Sequence, residues 1–255
     1  MYLWKYWRES RIIFVWSMVL IAMLFVAVLR ARVTMGGASQ EDFRQTVGMI
    51  IFFFYLQVVP LGFLAWLLGS LGVGRDLGEN SGSFLLTRPR RRAWFLWRDW
   101  GFGMTQVALA TIFLSAVIWL IVHRALVAAG DPFNGRIPMP GMTEPVLVTT
   151  LCGIICAGGL VIAGLIFSVT YFSTILIQNS RGTLLSAGLF VGYLALGAVL
   201  HHYWPQVEFP SLLLQLFKQS GPGINNHLPL EIAARAALIL LFPIAAQVVL
   251  EHSDI

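Results

Sequence analysis

Charged residues are scarce in this chain. They make up 11% of its 255 residues, whereas hydrophobic residues make up 58%. A soluble globular domain is typically about 25% charged and about 45–50% apolar. The chain therefore has too few polar side chains to cover a water-facing surface. This composition argues against a soluble enzyme and against a disordered or fibrous chain, and it favours a helical protein that crosses a membrane several times.

Lysine and cysteine are also rare. The lysines are Lys5 and Lys218, and neither follows a glycine, so the sequence holds no Gly-Lys-[Ser/Thr] phosphate-binding loop. The cysteines, Cys152 and Cys156, do not make a disulfide framework, and we expect them to behave as small apolar side chains and not as a metal site. The net charge of +5 is small, and we attribute it to topology and lipid contact and not to nucleic-acid binding.

Six stretches are long enough to cross the ~30 Å hydrocarbon layer of a membrane, and they hold no Asp, Glu, Lys, Arg or His except Arg235 near the outer end of the sixth. They are Ile12–Leu29, Val47–Gly69, Gly101–Val122, Pro145–Ile177, Thr183–Leu200 and Ile232–Leu250. We therefore predict an all-α integral membrane protein with six transmembrane helices in a single domain, residues 1–255. Proton- and ion-coupled transporters usually carry charged groups inside the bilayer, so charge-free spans predict that any transport is powered by a partner. Passive anchoring helices are the alternative.

The distribution of Arg and Lys predicts the orientation of these spans. With the N-terminus inside, the inner segments carry ten Arg and Lys residues and the outer segments seven, and the loop after the second span alone carries six. Because positive charge near span ends keeps a loop cytoplasmic, both termini are predicted to be cytoplasmic. Residues 1–11 are predicted to form an interfacial amphipathic helix with Trp4 and Trp7 on one face. Residues 201–231 are predicted to contain a re-entrant or interfacial helix before the sixth span.

The inner loop, residues 70–100, carries the most distinctive pattern. Asp76 and Glu79 are followed by a Gly-Ser step, by an apolar run at 84–86 and by Pro89. This order predicts a short helix with an acidic start and an apolar face that ends before Pro89. An exposed apolar face favours docking in a groove of a partner, and a basic loop pressed against anionic lipid is the alternative.

This loop resembles that of ABC-2 type transporter permeases, the membrane subunits of ATP-binding cassette exporters. The matching residues are Glu79, Gly82, Ser83, Leu85, Leu86, Pro89 and Arg92. Ser83 stands where the family often has threonine, and the hydroxyl is kept. The C-terminus, which ends in Asp254 and Ile255, also resembles the family. So do the N-terminal interfacial helix, the six spans and the broken outer helix before the last span.

The resemblance implies that the loop is a coupling helix between spans 2 and 3, which docks on a separate ATPase subunit in the cytoplasm. The residues that would make this contact, transmitting force without bond chemistry, are Glu79, Gly82, Ser83, Phe84, Leu85, Leu86, Pro89 and Arg92. The exporter would contain two ATPase subunits and a second permease subunit, either a copy or a homologue. ATP and Mg would bind the ATPases, so this chain would hold no cofactor and would not itself be an enzyme. The family resemblance also implies the bacterial inner (plasma) membrane.

Two sets of residues are candidates for packing and for the substrate path. Gly188 and Gly192 form a small-xxx-small pair, which permits close helix approach either within the chain, the more common use, or to a second subunit. The aromatic residues Phe52, Phe53 and Tyr55 in the second span could line a path for an apolar substrate, although consecutive residues point all round a helix.

Two other functions are open at this point. A membrane scaffold would recruit a cytoplasmic partner through the same loop without transporting anything. A small intramembrane enzyme would need a zinc site built from outer side chains. The candidates for that site are His123, His201, His202, His227 and Glu208. Their spacing matches no metalloenzyme motif, so we expect no metal.

Overall fold

The computed structural model describes residues 7–19, 22–23, 60–71, 92–128, 136–137, 146–177, 181–203 and 228–252. Within these ranges the chain is almost entirely helical, as the composition predicts. The helices are α1 (7–19), α2 (Pro60–Ser70), α3 (Arg92–Ala128), α4 (Val148–Ile177), α5 (Arg181–Tyr203) and α6 (Leu228–His252). Two short strands, β1 (Arg136–Ile137) and β2 (Val146–Leu147), lie between α3 and α4.

Three helices among the described residues are long and apolar enough to cross a membrane. Their crossing stretches are Ala93–Leu120, Cys152–Ile177 and Ala233–His252, of 28, 26 and 20 residues, against the ~20 residues that a bilayer requires. They correspond to the third, fourth and sixth predicted spans. The fifth predicted span lies within α5, and parts of the first and second lie in α1 and α2. Apart from residues 22–23, the remaining parts of those two spans lie outside the described residues, as do residues 204–227 of the outer re-entrant segment.

The third helix begins earlier than predicted. It starts at Arg92, nine residues before Gly101, so Arg98 and Asp99 belong to the helix and not to the loop. The crossing stretch Ala93–Leu120 therefore begins before the predicted span Gly101–Val122 and contains two ionisable side chains, whereas Gly101–Val122 itself contains none. Both side chains are accommodated locally. Arg98 is exposed, with its guanidinium 4.7 Å from the centre of the Trp94 ring, and Asp99 is buried in a hydrogen-bonded environment described below.

The N-terminal helix also differs from the prediction. α1 is continuous across residue 11, where the interfacial helix was expected to end and the first span to begin. Ser10 is fully buried, and its hydroxyl oxygen accepts a hydrogen bond of 2.9 Å from Nε2 of Gln106 on α3. Ile12 and Trp16 on the same helix are exposed. The described part of the N-terminal helix is thus packed into the bundle through a polar contact.

α4 is the central helix of the described bundle. It packs against α3, α5 and α6. Of its apolar crossing stretch 61% is buried inside the chain, compared with 22% for α6, so α6 lies at the periphery. The core runs along α4 from Cys152 and Ile155 near its start to the fully buried side chains Phe167, Tyr171 and Ile175 near its end. The largest fully buried side chains contributed by α2 and α3 are Leu61, Leu64, Leu68, Leu96, Leu114 and Ile118.

Two glycines allow neighbouring helices to approach the backbone of α4. A Cβ atom on Gly69, at the end of α2, would lie 2.9 Å from the carbonyl oxygen of Phe167. A Cβ atom on Gly182, at the start of α5, would lie 2.5 Å from the carbonyl oxygen of Ser173 and 2.5 Å from Cα of Thr174. Backbone atoms cannot move aside as a flexible side chain can. The end of α2 and the start of α5 therefore rest directly on the same stretch of α4.

A small hairpin precedes α4 on the side predicted to be outside. β1 and β2 pair antiparallel, with Arg136 opposite Leu147 and Ile137 opposite Val146. Residues 130–145 are rich in Gly and Pro, a pattern that predicts a turn-rich loop. Strands of two residues are too short to show the alternation of apolar and polar side chains by which a strand is recognised, so the hairpin could not be predicted from the pattern.

Candidate functional site

The candidate site is the end of the bundle from which the predicted coupling loop departs. α2 ends at Ser70 and α3 begins at Arg92, so residues 72–91 join these two helix ends. Arg92 is the first residue of α3. The other predicted coupling residues lie outside the described residues, and they are Glu79, Gly82, Ser83, Phe84, Leu85, Leu86 and Pro89. What the structure describes is therefore the attachment of the loop at both of its ends.

The C-terminus of α2, where the loop begins, is capped by local hydrogen bonds. The hydroxyl of Ser70 donates to the carbonyl oxygen of Leu67 at 2.6 Å, and the backbone amide of Leu71 donates to the carbonyl oxygen of Leu68 at 3.2 Å. These contacts satisfy carbonyl groups that a helix C-terminus otherwise leaves open. One turn earlier, Nε1 of Trp66 donates to the hydroxyl oxygen of Ser186 at 3.0 Å and joins α2 to α5.

The first turns of α3, where the loop ends, are held in place by aromatic and polar contacts with other helices. Nε1 of Trp97 donates to Oε1 of Gln247 on α6 at 2.8 Å. Nε1 of Trp100 donates to the hydroxyl oxygen of Ser168 on α4 at 3.1 Å. Both rings are half-buried, and they pack edge to face with their centroids 5.6 Å apart. The start of α3 is thus attached to two different helices.

Asp99 is the most unusual residue of this end of the bundle. Its side chain is fully buried, and its Oδ2 lies 3.2 Å from the hydroxyl of Tyr171, which is itself buried on α4. The same hydroxyl lies 3.2 Å from the carbonyl oxygen of Leu96, so Tyr171 offers its single hydrogen to two acceptors on α3. A buried carboxyl group is costly unless polar groups surround it, and in a membrane helix such a group is retained mainly for a function.

A chain of polar contacts links both ends of the loop through one turn of α4. The hydroxyl of Thr174 donates to the carbonyl oxygen of Tyr171 at 2.8 Å and lies 3.5 Å from the carbonyl oxygen of Gly69 at the end of α2. The phenolic hydroxyl of Tyr171 in turn contacts α3 at Leu96 and Asp99. We call the residues on this path the anchor cluster; its members are Gly69, Leu96, Asp99, Tyr171 and Thr174.

The anchor cluster was not predicted from the sequence. A signal was nevertheless present, because the fourth span carries hydroxyl side chains within an otherwise apolar stretch. Those residues, all of them buried, are Ser168, Thr170, Ser173 and Thr174. Thr170 and Ser173 donate to carbonyl oxygens of their own helix, whereas Ser168 and Thr174 make contacts with α3 and α2. Hydroxyl groups in membrane helices commonly bridge neighbouring helices in this way.

The glycine pair predicted for helix packing lies on an open surface. Gly188 and Gly192 on α5 are both exposed, and no atom of the described structure lies within 4 Å of a Cβ built on either. The exposed residues Leu184 and Val191 flank them. In the described part of the chain, the pair is therefore not used for packing between helices of the same subunit, which was the more common use.

The remaining predicted site residues are only partly described. Phe52, Phe53 and Tyr55 lie outside the described residues, as do His227 and Glu208. His201 and His202 lie in the last turn of α5. His123 on α3 is exposed, and its ring stacks on Trp119 with the centroids 5.1 Å apart. Cys152 is buried and Cys156 is half-buried, and neither forms a disulfide. Among the described residues, no three His, Cys, Asp or Glu side chains come together as metal ligands would.

No protein-family model matches the chain, and searches of curated proteins and of solved structures also found no match.

Proposed function

We propose that this chain is a transmembrane permease subunit of an ATP-driven ABC exporter, and that residues 79–92 form its contact with a separate ATPase. Two ATPase subunits would bind ATP and Mg, and a second permease subunit, a copy or a homologue, would complete the path across a bacterial inner membrane. With both termini cytoplasmic, the loop between α2 and α3 faces the ATPases. On this proposal the chain carries no catalytic residue of its own.

The observation that supports the proposal most directly is the attachment of the loop. A loop that transmits force needs both of its ends fixed to the same body, since a slack attachment would absorb the movement. Here Gly69 at one end and Asp99 at the other meet on a single turn of α4, the helix with the most neighbours in the described bundle. A loop that merely lay on lipid would not need this attachment.

The proposed mechanism follows from these contacts. When ATP closes the ATPase dimer, the docked loop moves, and the anchor cluster passes that movement to α4. α5 moves with it because Gly182 rests on the backbone of α4, and α6 is tied in through Trp97 and Gln247. The substrate is expelled outward by the rearranged helices. Each step uses packing and hydrogen bonds of this chain, and bond cleavage takes place on the ATPase.

Purification in a gentle detergent tests the proposed function. We expect an ATP-hydrolysing subunit to co-purify with the tagged chain at about one copy per chain, and we expect the complex to hydrolyse ATP. Mass spectrometry identifies the partners. A partner whose sequence carries a nucleotide-binding motif is the result that the proposal predicts. Recovery of the chain alone, or with a partner that binds no nucleotide, would contradict the exporter function and would favour the scaffold.

The open glycine pair provides a prediction for the second permease subunit. Substituting Gly192→Leu fills the open face of α5 and should prevent a close helix approach at this position. Because no described atom lies within 4 Å of the site, the chain itself should fold and insert normally. We expect cross-linking in native membranes to show loss of the permease dimer with unchanged amounts of the monomer. An unchanged dimer would mean that the mate binds elsewhere.

A further inference from the structure

We infer that Asp99 and Tyr171 are positioning residues that join the start of α3 to α4, so that the two ends of the loop and the turn of α4 at residues 171–174 move as one body. The inference rests on the proposed function for its role in coupling, whereas the union of α3 with α4 is a property of the chain alone. Neither residue matches the loop pattern that the proposed function relies on.

The first argument is the placement of Asp99. It lies two turns into α3, within a stretch apolar enough to cross a membrane, and its side chain is fully buried. An apolar residue at this position would satisfy the packing without the cost of burying a carboxyl group. What a carboxylate supplies, and an apolar side chain does not, is a directional contact to the Tyr171 hydroxyl, here over 3.2 Å.

The second argument is that Tyr171 contacts α3 twice. Its hydroxyl faces both Asp99 Oδ2 and the carbonyl oxygen of Leu96, three residues earlier on α3. Two acceptors one helical turn apart restrict both the rotation and the axial sliding of α3 against α4. The ring of Tyr171 stacks on Phe167 of its own helix, with the centroids 5.8 Å apart, and is buried, so the hydroxyl has little freedom to follow a displaced α3.

The third argument is that the same turn of α4 also receives α2. The Thr174 hydroxyl donates a hydrogen bond to the carbonyl oxygen of Tyr171 and lies close to the carbonyl oxygen of Gly69. Gly69, at the end of α2, lies against the backbone of α4. The contact between Trp100 and Ser168 also joins α3 to α4, but no described hydrogen bond connects it to α2. It therefore provides a matched control, since Ser168→Ala removes one hydrogen bond between the same two helices without breaking the path between the loop ends.

The test measures the distance between spin labels at Arg98→Cys on α3 and Leu176→Cys on α4, two exposed positions. The background carries Cys152→Ala and Cys156→Ala. In the full-length chain we expect a single narrow distance peak, retained in Ser168→Ala and lost in both Asp99→Leu and Tyr171→Phe. These two variants change few atoms, and either one alone tests the inference if the other does not fold. A narrow peak retained in the variants, or an equal loss in Ser168→Ala, would overturn it.

The second readout concerns coupling. The complex with the co-purified ATPase is trapped with ATP and vanadate. We expect the distance between the two labels to stay constant in the parent complex, because α3 and α4 move together, and to shift in Asp99→Leu and Tyr171→Phe. A merely stabilising role would not produce a shift that depends on nucleotide, so its absence in the variants would overturn the coupling role. If the parent chain recovers no ATPase, the proposed function fails, and the distance peak of the chain alone still decides whether the two residues join α3 to α4.

Discussion

Substituting Leu85→Asp and Leu86→Asp together should abolish coupling to the ATPase. In the proposed complex these leucines fill an apolar groove, and an interface anchor of this kind typically contributes about 2 kcal/mol or more. Losing two anchors costs about 4 kcal/mol, which corresponds to about a thousandfold weaker association. Burying two carboxylates in the same groove adds to the loss. The measurement is the amount of ATPase recovered with the tagged chain, together with ATP hydrolysis by the recovered material.

The control for this prediction is Ser83→Thr, which introduces the residue often found in the family that the loop resembles and keeps the hydroxyl. It should recover as much ATPase as the parent chain. The double aspartate variant should also insert into the membrane in the normal amount, because the loop lies outside the predicted spans. Nucleotide-driven transport at the parent rate in the double variant would exclude the loop from coupling.

The largest expected effect on folding is that of Gly182→Ala. A Cβ atom at this position would lie 2.5 Å from two backbone atoms of α4, and neither can move without shifting the helix. Overpacking of a well-packed site typically costs about 1–3 kcal/mol, and we expect the upper part of this range. The result should be a lower thermal unfolding midpoint in detergent and a reduced yield of folded protein.

The matched control for Gly182→Ala is Gly188→Ala on the same helix. Its new Cβ meets no atom of the described structure, so no strain arises. Alanine has a helix propensity about 1 kcal/mol better than that of glycine, so the control should be neutral or slightly stabilising. If the two variants unfolded at the same temperature, α5 would not rest on α4 as described here.

Helix positions followed closely from the sequence where apolar residues run without interruption. The fourth predicted span, Pro145–Ile177, ends at the same residue as α4, and the fifth, Thr183–Leu200, lies inside α5. The length of the apolar run predicts these elements, since a helix that crosses a bilayer needs ~20 apolar residues. α3 begins nine residues before the third predicted span, because the helix continues through Arg98 and Asp99, which bound the charge-free stretch. The charge-free stretch therefore predicts the apolar part of a helix and not where the helix begins.

The anchor cluster could not be predicted for a different reason. Asp99 and Tyr171 are separated by 72 positions in sequence, and nothing in either local pattern identifies the other as its partner. The pairing is a consequence of how α3 and α4 are packed. The same holds for Trp66 and Ser186, which are 120 positions apart. Local pattern predicts which segments are helices, whereas the contacts that fix the loop depend on the tertiary arrangement.

The central claim, that the loop between α2 and α3 binds an ATPase, is tested most directly by photo-cross-linking in native membranes. A photoreactive amino acid replaces Phe84, in the middle of the apolar run of the loop, and a control probe replaces Trp119, which is exposed near the other end of α3. We predict a covalent product between the loop probe and a nucleotide-binding subunit, and no such product from the control. A loop probe that reacts only with lipid or with its own chain would contradict the claim.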